Sequence, residues 1–167
     1  SVLAGLQEPL VAVWAAASVP VSPFSGDPMV GVSASDAADD FLREAPGERV
    51  QILFKPEDSV PEAWIRRGFV RGAVDGETVE LERLEPGAPV EGLRIVVDRL
   101  RLEEKHRLRL SEAILSAYRH GDDLCSLEIG DPGSLKTISV SGLPRCLETG
   151  RTAPKASPTL FSRRSAH

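Results

Sequence analysis

Cysteine is scarce in this sequence. Cys125 and Cys146 are the only two, too few and too far apart for a disulfide framework or a metal quartet. That scarcity suits a reducing compartment, and the cytoplasm is the expected location. A lysine and arginine surplus is missing as well. With a formal net charge of -5, the whole chain is a poor fit to a strongly basic nucleic-acid module, because phosphate contacts dominate such affinities; any DNA contact has to be local. Apolar runs are too short for a membrane span. The opening SVLAGLQEPLVAVWAAASVPV lacks a leading basic cluster and carries Glu8 and Pro9, so Leu10 to Ala17 reads as a helix rather than a leader. No phosphate loop of the form GxxxxGKS or GxxxxGKT occurs, and no strand-GxGxxG-helix, which excludes nucleotide binding through either fingerprint.

What is present is an ordered alternation of elements with apolar content of 41%, enough for one packed core. The first helix ends near Ser18, since Pro20 and Pro23 forbid its continuation. In SASDAADDFLREAPG, Ser33 or Ser35 can cap a second helix with Ala37, Phe41 and Leu42 as its apolar stripe and Pro46-Gly47 as its stop. RVQILF alternates as a strand through Val50, Ile52 and Phe54. Ser59 is placed to cap a short helix in which Ala63, Trp64 and Ile65 face the core before Gly68 closes it. FVRGAVDGETVELERL is two strands joined by Asp75-Gly76, the dipeptide that best tolerates the positive φ angles of a type I′ turn. LRIVVDRLRL is apolar on both faces from Ile95 to Val97, then puts Leu100 and Leu102 on one face and Arg99 and Arg101 on the other, as a central strand with a charged end does. A long helix follows with Leu110, Ile114, Ala117 and Tyr118 at helical spacing and Gly121 as its stop. Two further strands, DLCSLEIG and LKTISV, complete an α+β fold: a mixed or antiparallel sheet with a β-hairpin and packed helices. From Ser141 onward, Pro, Ser, Thr and basic residues recur with little periodicity, the composition of an extended tail.

Residues with chemical potential are few. His106 and His120 are too far apart for the i, i+4 pairing of a zinc helix, and with His167 they read as solvated or capping histidines. Cys146 has an arginine beside it but no histidine or helix N-terminus to activate it as a nucleophile. Asp36, Asp39 and Asp40 fit a solvated helix face with acids favourably placed near its N-terminus. In the tail, Arg145, Arg151, Lys155, Arg163 and Arg164 form the one local cluster suited to DNA.

Several segments, in order, resemble UvrA, the damage-sensing subunit of the bacterial nucleotide-excision-repair excinuclease. LVAVWAAASVPVSPFSGDPMVGVSASDAADDFL is similar to that family's helix, CPxCG-like turn and second helix, and ERVQILFKP to the strand that follows. GFVRGAVDGETVEL, from Gly68 to Leu81, resembles the family's aromatic-V-R-x-x-x-D-G-E hairpin. RIVVDRLRL, from Arg94 to Leu102, resembles the VVVDR strand, and RLSEAILSAYRHGDDLCSLEIG the helix, turn and strand after it.

The resemblance implies a UvrB-binding domain over about 31–130, with 1–30 and 131–167 as flanking pieces of the signature region. It places a Walker A segment before Ser1 and the signature and Walker B segments after His167, so ATP belongs to the full-length family and no catalytic residue is expected here. It implies UvrB, or a UvrB-like protein, as the partner and DNA as a partner of the full-length protein. Arg71 and Arg99 align with positions the family uses to grip acidic residues of UvrB, and Arg66, Arg67 and Arg101 widen the patch. Arginine suits the task because its planar fork makes two charge-assisted bonds to a carboxylate. Two alternatives stay open: Arg99 pairs with Asp98 or a neighbouring acid to blunt a strand end, and the basic tail contacts DNA directly. The family's zinc-linked cysteine pairs are replaced at Ser22 and Ser25, and a second pair retains only Cys146, with Thr149 in the other place, so no zinc is expected.

Overall fold

The computed structural model describes residues 10, 12–13, 17–22, 25–26, 28–131, 134–146, 149 and 151–153. Two compact units result, residues 31–142 and residues 1–30 with 143–167. The first contains α1 (Ala34–Glu44), β1 (Arg49–Phe54), α2 (Pro61–Ile65), β2 (Arg71–Val74), β3 (Glu77–Glu80), β4 (Arg94–Arg101), α3 (Arg107–His120), β5 (Leu124–Ile129) and β6 (Lys136–Ser141), with single 3-10 turns at Leu81–Arg83 and Glu104–His106. The fold is α+β: all strand pairs are antiparallel, and the six strands lie in the order β3-β2-β4-β1-β5-β6.

Local chemistry accounts for most boundaries. Ser33 is the residue that caps α1, its Oγ accepting the Asp36 N–H at 3.1 Å and so satisfying a donor that the helix leaves free. Gly47 takes φ 80° just past the helix end. The cap of α2 differs from the sequence expectation: Val60 is the N-cap residue, and the Asp58 carboxylate, not the Ser59 hydroxyl, accepts the Val60 N–H at 2.9 Å. That bond is a local turn ahead of the helix, made by aspartate to the N–H two residues on, and the first-turn N–H groups of α2 receive no side-chain cap. At the hairpin, Asp75 (φ 51°) and Gly76 (φ 83°) both lie in the left-handed region that a type I′ turn demands.

One face of the sheet packs under α1 and α3. Its core joins Ala37, Ala38 and Phe41 of α1 and Leu110, Ile114 and Ala117 of α3 to Val50, Ile52, Phe54, Ile95 and Leu127. Among the described residues, the apolar cluster buried on the opposite face is small: Leu53, Ala73 and Val96. That face is concave. Thr78 on β3 donates to Oε1 of Gln51 on β1 at 3.0 Å, although two strands separate them. In a flat sheet the three steps amount to roughly 14 Å, beyond the combined reach of a threonine and a glutamine, so the hairpin curls over the sheet.

The second unit holds two isolated antiparallel bridges, Val21 with Pro28 and Arg145 with Thr152. Within the segment expected as an extended tail, the Cys146 N–H donates to the Arg151 carbonyl at 2.9 Å and the Ala153 N–H to the Pro144 carbonyl at 2.7 Å, so Pro144–Cys146 and Arg151–Ala153 are bonded to each other. Residues 10, 12, 13 and 17 are helical and residue 18 is not, in keeping with a first helix that stops near Ser18. Among the described residues, no helix is long and apolar enough to cross a membrane.

Candidate functional site

A β-bulge decides which side chains can act together. Strand β1 pairs Leu53 with Val96 but Ile52 with Asp98, so Val97 is an extra residue in β4. Without it, period-two alternation would put Val96 and Asp98 on one face and Arg99 on the other. With it, Val96 and Arg99 share the concave face while Asp98 turns to the helix side. Arg71 sits opposite Val96 in β2, and Gly72, its neighbour, points the other way, where an added Cβ would meet Leu81 and Leu93. Arg71 and Arg99 therefore lie on the same face of the sheet, brought there by one inserted residue.

Beside them is a groove of about 330 Å³ lined by Gly68, Phe69 and Val70 on one side and by β4 from Val96 to Arg99 on the other, with Arg109 of α3, the partner of Asp98, also in its wall. Both arginines line it and both are exposed. Among the described residues, no carboxylate pairs with either guanidinium. The pairing of Arg99 with Asp98 that the sequence left open does not form. Asp98 instead takes Arg109 of α3, whose Nε and Nη2 donate to Oδ2 and Oδ1 at 2.6 and 2.7 Å. Burial by itself would raise the Asp98 carboxyl, but the bonds from Arg109 and from the Arg99 N–H hold it below its ordinary value.

The edge that β4 presents beyond the end of β2 is capped rather than open. The Arg99 N–H donates to Asp98 Oδ1 at 2.8 Å, and the Arg101 carbonyl accepts the Glu103 N–H at 2.8 Å and lies 3.0 Å from His106 Nδ1. Such capping discourages strand addition and leaves side chains as the recognising groups.

The other arginines named from the sequence are placed differently. Arg101 lies one pleat beyond Arg99 on the concave face, and its Nη1 donates to the Gly47 carbonyl at 3.0 Å. Arg67 stacks over the Trp64 ring, 4.5 Å from the centroid, and Arg66 is exposed at the end of α2; neither lines the groove. In the tail, Arg145 and Arg151 belong to the two stretches bonded to each other, while Lys155, Arg163 and Arg164 lie outside the described residues.

Three sequence readings of polar residues are refined. His120 is not a solvated cap: it packs against Phe69 and Phe54, with ring centroids 5.3 and 5.7 Å apart, and burial followed by the charges of Arg67 and Arg119 lowers its pKa. Asp39 crosses to α3, where Arg107 Nη2 donates to its Oδ2 at 2.7 Å, so this one of the three aspartates ties the two helices together. Cys146 is buried with its Sγ 3.3 Å from Ser22 Oγ, which itself accepts the Ser25 N–H at 3.3 Å. Ser22, Ser25, Cys146 and Thr149 thus supply one thiol and three hydroxyls, a donor set unlike the thiolate and imidazole sets of structural zinc. Among the described residues, no group of three or more His, Cys, Asp or Glu side chains is placed to hold a metal ion.

Comparison with known proteins agrees with the resemblance read from the motifs. Residues 57–131 match a family model described as the UvrA interaction domain. The chain is 29% identical over 163 residues to UvrABC system protein A of Aquifex aeolicus, covering 90% of this chain and 17% of that protein. It is 29% identical over 153 residues to UvrABC system protein A of Thermus thermophilus, covering 84% of this chain and 16% of that protein. The protein of the same name from Deinococcus radiodurans is 29% identical over 164 residues, covering 90% and 16%. The chain therefore spans about a sixth of the length of the curated relatives it matches.

Proposed function

We propose that residues 31–142 form a recognition module that docks a UvrB-type protein onto a UvrA-like damage sensor, with Arg71 and Arg99 as its anchors. One observation carries the reading. Two exposed guanidiniums without carboxylate partners among the described residues line one groove, inside a segment that matches an interaction domain. Arginines in that state keep their full hydrogen-bonding capacity for acidic side chains of a partner. Arg101 extends the basic surface along β4, and Arg66 and Arg67 extend it beyond the groove. In this reading the module has no catalytic step of its own, and ATP is handled by other parts of a longer protein, as is contact with DNA.

Surface plasmon resonance of the 167-residue chain against UvrB of the same organism tests the reading. Saturable binding is expected, and Arg71→Glu with Arg99→Glu should abolish it, because like charges facing each other at a docking site cost several kcal/mol. The melting temperature should stay put, since exposed charges without partners contribute little to stability. Absence of binding by the unmodified chain, or normal binding by the double variant, would overturn it.

A further inference from the structure

Arg99 also borders a second, larger hollow. On the concave face, a cavity of about 740 Å³ runs between the hairpin tip and the ends of β1 and β4, with Arg49, Arg99 and Arg101 among its lining residues. That volume is in the range of about 300–1,000 Å³ typical of ligand sites. The strand register makes the arrangement unusual. Arg49 pairs directly with Arg101, and Gln51 directly with Arg99, so two guanidiniums stand opposite each other across a strand pair. Like charges so placed are destabilising, and an anionic ligand relieves that cost.

Nearby acids do not cancel the charge. Glu128 is 4% exposed and is engaged by Arg94 and by Gln51 Nε2. Arg49 reaches Asp131 only at 3.6 Å, and both side chains are mostly in solvent. Arg99 and Arg101 are two residues apart on one face of a strand, hence about 7 Å apart along it. Alternate side chains of an extended peptide have that same spacing. Glu77 and Glu128 in the cavity wall, together with a net charge of -5, disfavour a polyphosphate backbone carrying a charge on every unit.

We infer that this concave face is a second recognition site, which receives an extended segment of the partner bearing carboxylates at alternate positions, held by Arg49, Arg99 and Arg101. The inference rests on the docking reading for the identity of the partner and shares Arg99 with it, so it is tested at Arg49 and Arg101, which lie outside the pair of docking anchors. Its probe is a fluorescein-labelled octapeptide of alternating glutamate and threonine, titrated into the full chain by anisotropy. A glutamine-threonine peptide and an eight-residue oligothymidylate serve as comparators. Arg49→Gln with Arg101→Gln is the diagnostic variant, its fold checked by circular dichroism. The glutamate peptide should bind, the glutamine peptide should not, and the variant should weaken binding at least tenfold. No binding of the glutamate peptide, equal binding by the variant, or preference for the oligothymidylate would overturn the inference. UvrB titrated in parallel separates the two claims. Loss of UvrB binding with Arg71→Glu and Arg99→Glu but none with Arg49→Gln and Arg101→Gln would sink the second site alone. The expected peptide pattern with no UvrB binding would sink the docking reading alone.

Discussion

Asp98 and Arg109 meet across the interface of strand β4 and helix α3 through two parallel hydrogen bonds of 2.6 and 2.7 Å, and this pair is what leaves Arg99 free. The carboxylate that adjoins Arg99 in sequence faces the opposite side of the sheet and is occupied there. A fork on a fork is the strongest geometry available to such a pair, but Arg109 is 59% exposed, and water screens it. Asp98→Asn is therefore expected to lower stability by only about 1 kcal/mol at neutral pH. Because the folded-state carboxyl is held below its ordinary value of 3.8, its contribution is present above that value and is lost as the pH falls through the lower folded pKa. Urea unfolding of both proteins should show a gap at pH 7 that closes toward pH 2. A gap that persists at pH 2 would show that packing, not charge, is what the substitution removes.

His120 gives a pH dependence of the same sign for a different reason: here the charged form is the disfavoured one, penalised by burial and by the charges of Arg67 and Arg119. Its folded-state pKa lies below 6.5, so the folded chain binds the proton less well than the unfolded chain does. Stability is then full above pH 6.5 and declines on acidification until the folded pKa is passed. His120→Phe keeps a ring against Phe54 and Phe69 while removing the titration. Melting curves between pH 7.5 and 5 should fall for the unmodified chain and run flatter for the variant; parallel curves would assign the acid sensitivity to other groups.

Gly76 and Gly121 test turn and space separately. Gly76 has φ 83° with nothing within 4 Å of an added Cβ, so Gly76→Val should cost about 1–3 kcal/mol through backbone strain alone. Gly76→Asn should recover much of it, since asparagine tolerates the left-handed region. At Gly121 the obstacle is steric: an added Cβ would lie 2.6 Å from both the Leu124 carbonyl oxygen and Phe54 Cβ. Backbone cannot yield as a side chain can, and Gly121→Ala should cost about 2 kcal/mol or more. Chemical denaturation measures all three, and a Gly121→Ala protein as stable as the parent would mean that α3 shifts to make room.

Local chemistry was readable in the sequence where it acts over a few residues. The cap of α1, narrowed to Ser33 or Ser35 and made by Ser33, the Asp75-Gly76 turn and the stripes of α1 and α3 are all set by neighbours within about one turn of chain. The outward placement of Arg99 and Arg101 followed from alternation over Arg99 to Leu102. The bulge at Val97 did not, because an apolar run on both faces hides a skipped residue. Long-range register was equally hidden. Nothing in RVQILF says that Arg49 will face Arg101 or that Thr78 will reach Gln51, and the concave cavity is made of those two pairings. His120 escaped because a histidine at a helix end looks the same whether it meets water or three aromatic rings.

Metal content gives a further test. One thiol and three hydroxyls occupy the positions where the resemblance would put zinc ligands, and Ser22 and Cys146 bond to each other. Elemental analysis after a chelator wash should find well under one zinc per chain, because hydroxyls do not replace thiolates in structural sites. One retained equivalent of zinc would mean that ligands outside this set hold it.

The exposure of Arg71 and Arg99 also dictates how docking should respond to salt. Rim charges act mainly by steering encounter, whereas buried hydrogen-bonded pairs act mainly by slowing release. Both arginines are exposed beside an open groove, so raising the salt should slow association with UvrB and leave dissociation nearly unchanged. Screening over about 8 Å at physiological ionic strength is enough to blunt that steering. Arg71→Lys separates charge from geometry. It keeps the steering charge, so association should be preserved, but it loses the planar fork, so dissociation should quicken if the groove admits a carboxylate bidentately. Stopped-flow or surface plasmon resonance traces of the two proteins at low and high salt measure both rates. Dissociation that accelerates with salt in the unmodified chain would place the contacts in a buried core instead. In that case the groove must close around the partner, and the open arrangement of Gly68 to Val70 beside β4 would be the unbound form of the site.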